Sequence, residues 1–214
     1  MQPNPIDYSL YLVTDRGLSR GRTTLDIVTA AVSGGVTCVQ LREKVASTRE
    51  FIEEALTIRD YLRSVNIPLI INDRLDVALA LGADGVHLGR TDMSPVMARA
   101  VAGNRMVIGI SVESVADALA AENNGADYLG VSPIFATPTK TDTAPALETA
   151  GLRAIRQAVR LPLVAIGGLY RGNAADIIHC GADGVAVVSA IVSAADPAKA
   201  ARRLKRIIME ARRP

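Results

Sequence analysis

Eight short runs rich in β-branched and other apolar residues recur along the chain, and each is followed by a segment of helical spacing. The runs are YSLYLVT, VTCVQL, IPLIIN, GVHL, RMVIGIS, DYLGV, LPLVAI and GVAVVS. The segments that alternate with them are TLDIVTAAVSG, TREFIEEALTIRDYLRSV, RLDVALALG, SPVMARAVAG, ESVADALAAENNG, ETAGLRAIRQAV, NAADIIHCG and the basic tail. Strands that are apolar along their whole length are buried on both faces, which calls for a parallel sheet covered by helices. Eight such units in one domain over residues 1–214 predict an α/β fold, a closed (βα)8 TIM barrel. The alternative, a doubly wound open sheet, lacks its usual G-x-G-x-x-G turn after the first strand.

A hydrophobic fraction of 49% is ample for one large core. The net charge of +2, from 24 basic and 22 acidic residues, lacks the excess expected of a nucleic-acid binder. The one basic stretch, RRLKRIIMEARRP, carries Leu204, Ile207 and Ile208 at helical spacing and reads as an amphipathic last helix with a solvated face. Cys38 and Cys180 are far apart, without metal-ligand or redox spacing, and are expected to be buried thiols. No apolar run approaches the roughly 20 residues of a membrane span, and the start lacks a charged head before a long apolar core. A cytoplasmic protein is expected.

The tripeptide GAD recurs at Gly82, Gly125 and Gly181, each time between a helix and a strand. Each glycine suits the left-handed position that ends a helix, so the repeat is expected to be structural. The polar stretch TPTKTDTAPA, starting at Thr137, interrupts the pattern after the sixth strand and is long enough for a lid.

Active sites of such barrels lie at the C-terminal ends of the strands. In VQLREK, period-2 alternation puts Gln40, Arg42 and Lys44 on one face and Val39, Leu41 and Glu43 on the other. If Val39 and Leu41 pack under the helices, two cations and an amide line the mouth, a set suited to a polyanionic substrate with a polar ring. The alternative is a solvated strand end paired through Glu43. Strand three ends in Asn72 and Asp73, and Asp92 follows strand four. Carboxylates on neighbouring loops suit Mg²⁺, which keeps waters and takes phosphate oxygens as further ligands. The competing reading is that both aspartates cap the helices that follow. Gly167 and Gly168 after strand seven, with Val188 and Ser189 at a helix start after strand eight, occupy the usual place of a phosphate site. Ser111 ends strand five, and Thr137, Thr139 and Lys140 lie in the insertion. Two anion sites imply two substrates. His87 lies beside the mouth, as a general base or as a packed, hydrogen-bonded histidine; His179, at a helix end, is expected to be structural.

The motifs LYLVTD, VQLREK, IIND, GVHLG, IGIS, ATPTKTD, AIGGL and GADGVAVVS, in this order, resemble the thiamine-phosphate synthase family, also called thiamine-phosphate pyrophosphorylase, across nearly the whole chain. The resemblance implies a (βα)8 transferase that joins an aminopyrimidine methyl diphosphate to a thiazole phosphate, releasing pyrophosphate with Mg²⁺. It assigns Gln40, Leu41, Arg42, Glu43, Lys44, Asn72, Ser111 and Lys140 to the pyrimidine diphosphate, with Arg42, Lys44, Ser111 and Lys140 in catalysis. Asp73 and Asp92 become magnesium ligands. Thr137, Pro138, Thr139, Gly168, Val188 and Ser189 hold the thiazole phosphate. Members are often dimers, which leaves a homodimer open for this chain, whose sequence does not fix the oligomeric state; no nucleic-acid or membrane partner is expected. The chain departs from the family pattern at Arg90, where Gln is usual, at Ala136, where Pro is common, and at Ser132, where Gly is frequent. Two rivals remain: a thiazole tautomerase of the same superfamily, and a noncatalytic barrel that binds a phosphorylated precursor.

Overall fold

A computed structural model describes residues 6–137 and 145–213. Its strands are β1 (Leu10–Val13), β2 (Cys38–Leu41), β3 (Leu69–Asn72), β4 (Gly85–Leu88), β5 (Val107–Val112), β6 (Tyr128–Val131), β7 (Leu163–Ala165) and β8 (Gly184–Val187). All pair in parallel with their sequence neighbours, and β1 also pairs with β8, so the sheet closes into the expected barrel. The covering helices are α1 (Thr24–Ser33), α2 (Thr48–Ser64), α3 (Leu75–Leu81), α4 (Pro95–Ala102), α5 (Val115–Asn123), α6 (Glu148–Ala158), α7 (Ala174–His179), α8 (Ser189–Val192) and α9 (Pro197–Ala211). Two elements exceed the expectation of eight helices: a 3₁₀ turn at Arg16–Leu18, and α8, one turn inserted before the amphipathic tail helix α9. Both are too short to show a helical period.

Local chemistry starts the longer helices where the sequence turns polar. Thr23 with Asp26, and Ser47 with Glu50, form reciprocal capping boxes on α1 and α2. Ser94 and Asp196 cap α4 and α9, each followed by a proline suited to the first helical position. Along the strands, alternate residues face two different cores. Leu10, Leu12, Val39, Leu41, Leu69 and Ile71 pack outward under the helices. Tyr8, Tyr11, Val13, Cys38, Ile70, Val107, Tyr128, Val164 and Ala186 fill the barrel itself. Leu204 and Ile208 of α9 are buried and Ile207 packs against them, while Arg202 and Arg203 face solvent.

The GAD repeat closes the end of the barrel opposite the strands' C-termini. Gly82, Gly125 and Gly181 all have left-handed φ, of 60°, 88° and 98°. The aspartate that follows makes the same double clip each time on the preceding odd-numbered strand. The Asp84 N–H donates to the Leu69 carbonyl (3.0 Å) while its carboxylate accepts the Leu69 N–H (2.8 Å). Asp127 does the same to Ile108 (2.8 and 2.7 Å), and Asp183 to Leu163 (2.8 and 2.8 Å). These strand-end groups would otherwise lack ladder partners.

Both cysteines are buried and free. Among the described residues no helix is long and apolar enough to cross a membrane.

Candidate active site

The C-terminal ends of the strands open into one cavity of about 730 Å³. Gln40, Arg42 and Lys44 line it from β2, Asn72 and Asp73 from β3, and Asp92 from the loop after β4. Ser111, Thr137, Gly168, Val188 and Ser189 complete the wall. The alternation inferred for VQLREK therefore describes the side-chain directions correctly. Leu41 and Glu43, the other two members of that motif, do not line the cavity. The Leu41 side chain is buried in the outer core. The Glu43 carboxylate accepts the N–H groups of Lys44, Val45 and Ala46 and pairs with Arg16 at 2.9 Å, so it folds the loop that presents Lys44. Burial pushes the Glu43 carboxyl upward, but these backbone donors and Arg16 bring it below its ordinary value. Pro138, Thr139, Lys140 and the rest of the insertion to residue 144 lie outside the described residues.

The two aspartates come together. Asp73 follows β3 with φ of 63°, a conformation uncommon for a non-glycine residue. Its N–H extends the ladder to the His87 carbonyl (2.8 Å), and its carboxylate meets the Lys44 ammonium. The Asp92 carboxylate accepts the Gly89 N–H at 2.7 Å. Burial, and then a hydrogen bond shared with the Asp73 carboxyl, hold Asp92 above the usual carboxylate range. Helix capping does not explain either residue. The N-cap of α3 is Arg74, paired with Asp76, and that of α4 is Ser94. A carboxyl hydrogen-bonded to a second carboxyl, with an ammonium against one of them, fits a divalent cation. No group of three or more His, Cys, Asp or Glu side chains suited to a metal occurs among the described residues. Two protein ligands suit Mg²⁺, which retains waters and takes phosphate oxygens.

Other charges at the mouth are held in pairs. Arg42 Nη1 lies 2.8 Å from Asp15 Oδ2, and the Arg42 N–H donates to Thr14 Oγ1. Arg90 pairs with Glu113 on the same rim. Opposite these, Gly167 and Gly168 have φ of 103° and 65°, open only to glycine at low cost. A Cβ on Gly168 would lie 2.8 Å from the Phe135 Cβ, so this glycine also lets the β7 loop pack on residues 133–136. Ser189 begins α8, whose first N–H groups have no intrahelical acceptor and are available to an anion.

His87 is buried and bonded at both ring nitrogens, to Tyr128 Oη and Ser111 Oγ, each at 3.0 Å. His179 ends α7 and is exposed. Sequence reasoning missed Tyr11 and Tyr128, both buried in the barrel, because a tyrosine in a strand reads as an apolar β-former. The available signal was glycine. Gly109 is aligned between His87 on β4 and Tyr128 on β6. A Cβ there would sit 2.1 Å from Tyr128 Cζ, and one on Gly130 would sit 2.7 Å from His87 Cε1. Glycines inside two strands therefore mark the space taken by two polar rings.

Comparison with known proteins agrees with the motifs. A family model described as thiamine monophosphate synthase matches residues 10–191. The chain is 55% identical over 203 residues to a thiamine-phosphate synthase of Chloroflexus aurantiacus, covering 95% of this chain and 94% of that one. It is 56% identical over 199 residues to that of Albidiferax ferrireducens, covering 93% and 91%. A solved thiamine phosphate pyrophosphorylase from Pyrococcus furiosus superposes with a TM-score of 0.90 at 41% identity, over 96% of this chain and 98% of that one. A 3-hexulose-6-phosphate synthase, at 18% identity and a TM-score of 0.74, shares the fold.

Proposed function

The chain belongs to the thiamine monophosphate synthase family, and from that premise we propose that it joins an aminopyrimidine methyl diphosphate to a thiazole phosphate, yielding thiamine phosphate and pyrophosphate with Mg²⁺. Thiamine-phosphate synthase activity, a transferase reaction, is the function its relatives carry. The observation that supports the finer reading is the Asp73 and Asp92 pair, with Lys44 against it, in one cavity with Arg42 and the glycine loop. A tautomerase has no need of such a diphosphate and metal site, and neither does a simple carrier.

Asp73 and Asp92 would hold Mg²⁺, which supplies charge compensation for the diphosphate group as it departs. Arg42 and Lys44 neutralise the remaining phosphate charge, each exchanging its carboxylate partner, Asp15 or Asp73, for phosphate oxygens. Asn72, Gln40 and Ser111 orient the pyrimidine ring. The bond between the pyrimidine methylene carbon and the diphosphate oxygen breaks, and its electron pair leaves with pyrophosphate. The ring, with its exocyclic amine, carries the resulting positive charge until the thiazole nitrogen attacks that carbon. Gly168, Val188 and Ser189 anchor the thiazole phosphate, with Thr137 and the insertion's Thr139, so that the nitrogen is in line. Lys140, which the family motif assigns to the diphosphate, would add a further cation to it. No side-chain nucleophile is required.

A discontinuous assay tests the reading: both substrates with Mg²⁺, with thiamine phosphate and pyrophosphate quantified together. Equal amounts of the two products are expected. Binding of the thiazole phosphate without turnover would favour the carrier, and isomerisation of the thiazole alone would favour the tautomerase.

A further inference from the structure

A continuous hydrogen-bond chain crosses the floor of the cavity. Gln40 Nε2 donates to Tyr11 Oη at 3.0 Å, and Tyr11 Oη lies 2.9 Å from Tyr128 Oη. Tyr128 Oη lies 3.0 Å from His87 Nδ1, and His87 Nε2 lies 3.0 Å from Ser111 Oγ. Both tyrosines are essentially inaccessible, and Gln40 and His87 are buried. Burial also pushes both phenols well above their ordinary range, so both keep their protons.

Each phenol carries one proton and a neutral imidazole carries one, so for a given starting donor one order lands every donated proton on an oxygen or nitrogen of the chain. With the Gln40 amide donating, that order runs from Tyr11 to Tyr128 and from Tyr128 to His87 Nδ1. His87 then carries its proton on Nε2 and donates it to Ser111. The Ser111 hydroxyl hydrogen is left for the cavity, and Gln40 keeps its amide oxygen as an acceptor. In the reverse order Ser111 donates to His87, and the Tyr11 proton goes to Cys38, a weak sulfur acceptor, instead of a phenol oxygen. Gly109 and Gly130 leave the space that the Tyr128 and His87 rings occupy.

We propose that Tyr11, Tyr128 and His87 are positioning residues that couple Gln40 to Ser111, holding His87 as the Nε2–H tautomer so that Ser111 presents a donor while Gln40 presents an acceptor. This pair matches a heterocycle with an acceptor ring nitrogen and an amine donor. The naming of that ring as the aminopyrimidine rests on the proposed function; the proton order does not.

The test has two arms. The full chain labelled with ¹⁵N-histidine contains two histidines, and His179→Gln identifies the His87 signals. A long-range ¹H–¹⁵N correlation spectrum at fixed pH is expected to show Nε2 protonated and Nδ1 unprotonated. The opposite tautomer, an averaged pattern or a doubly protonated ring would overturn the proposal. In the second arm Tyr128→Phe keeps the ring and removes one link. The His87 tautomer is expected to lose its preference, and KM for the aminopyrimidine diphosphate to rise about tenfold. KM for the thiazole phosphate is expected to stay within about twofold, since that substrate touches neither end of the chain. An unchanged tautomer, or equal rises in both KM values, would refute the coupling. The spectrum needs no substrate and no variant at Tyr128, so loss of the chain and loss of the proposed activity are separate results.

Discussion

Adding a single methyl group at Gly109 is expected to damage the protein more than its position in a strand suggests. The Cβ of Gly109→Ala would lie 2.1 Å from Tyr128 Cζ, 2.3 Å from Cε1 and 2.4 Å from Oη. Ordinary carbon contacts lie at about 3.5–4.0 Å, so the ring would have to retreat by roughly 1.5 Å. It has nowhere to go: Tyr8 packs on its face with centroids 4.6 Å apart, and Tyr11 and His87 bind its hydroxyl. Overpacking of this kind costs about 1–3 kcal/mol, and disturbing two buried hydrogen bonds adds about 1 kcal/mol each. The combined loss of about 3–5 kcal/mol corresponds to a fall in Tm on the order of 10 °C for a chain of this size. Thermal unfolding followed by circular dichroism reads it. Tyr128→Leu removes the atoms that the new methyl group meets, so the Gly109→Ala/Tyr128→Leu double variant should lose less than the sum of the single losses. A Tm within about 2 °C of wild type for Gly109→Ala, or strictly additive losses in the double variant, would refute the packing argument.

The raised Asp92 pKa has a consequence for pH dependence. Its folded value lies above its unfolded one, so the favourable contribution is complete below the unfolded pKa and disappears as pH rises through the folded pKa. With metal chelated, Asp92→Asn should therefore gain stability over wild type as pH rises from the acid range to neutral, while losing turnover; parallel Tm curves against pH would count against the carboxylate contact. Asp84→Ala removes one half of a clip on β3 and should lower stability by about 1 kcal/mol with kcat and KM unchanged, measured by urea unfolding and steady-state assay. A fall in kcat with unaltered stability would place Asp84 in the wrong role. Asp73→Ala should lower turnover by several orders of magnitude in a protein that remains folded; near-normal turnover would remove it from the site.

Period-2 and helical spacing were enough to read the barrel, because a strand covered on both faces and an amphipathic helix leave distinct apolar patterns. The same alternation told Gln40 and Arg42 from Val39 and Leu41. It could not tell that Glu43 turns back to hold its own loop, since that depends on three backbone donors brought round by the turn. Asp73 and Asp92 were legible as residue types at strand ends, but the capping reading fell only when Arg74 and Ser94 were seen to occupy the cap positions. The Tyr11 to His87 chain was not legible. Its members come from three strands, and only the strand register places Gly109 between two of their rings.

The proposed holding of a divalent cation by Asp73 and Asp92, with a diphosphate at the mouth of the barrel, has a direct test. Mn²⁺ substituted for Mg²⁺ and followed by electron paramagnetic resonance measures this directly, with and without pyrophosphate. One bound ion per chain is expected, held more tightly with pyrophosphate present, and lost in both Asp73→Asn and Asp92→Asn. Equal Mn²⁺ binding by the wild type and the two variants would contradict the account.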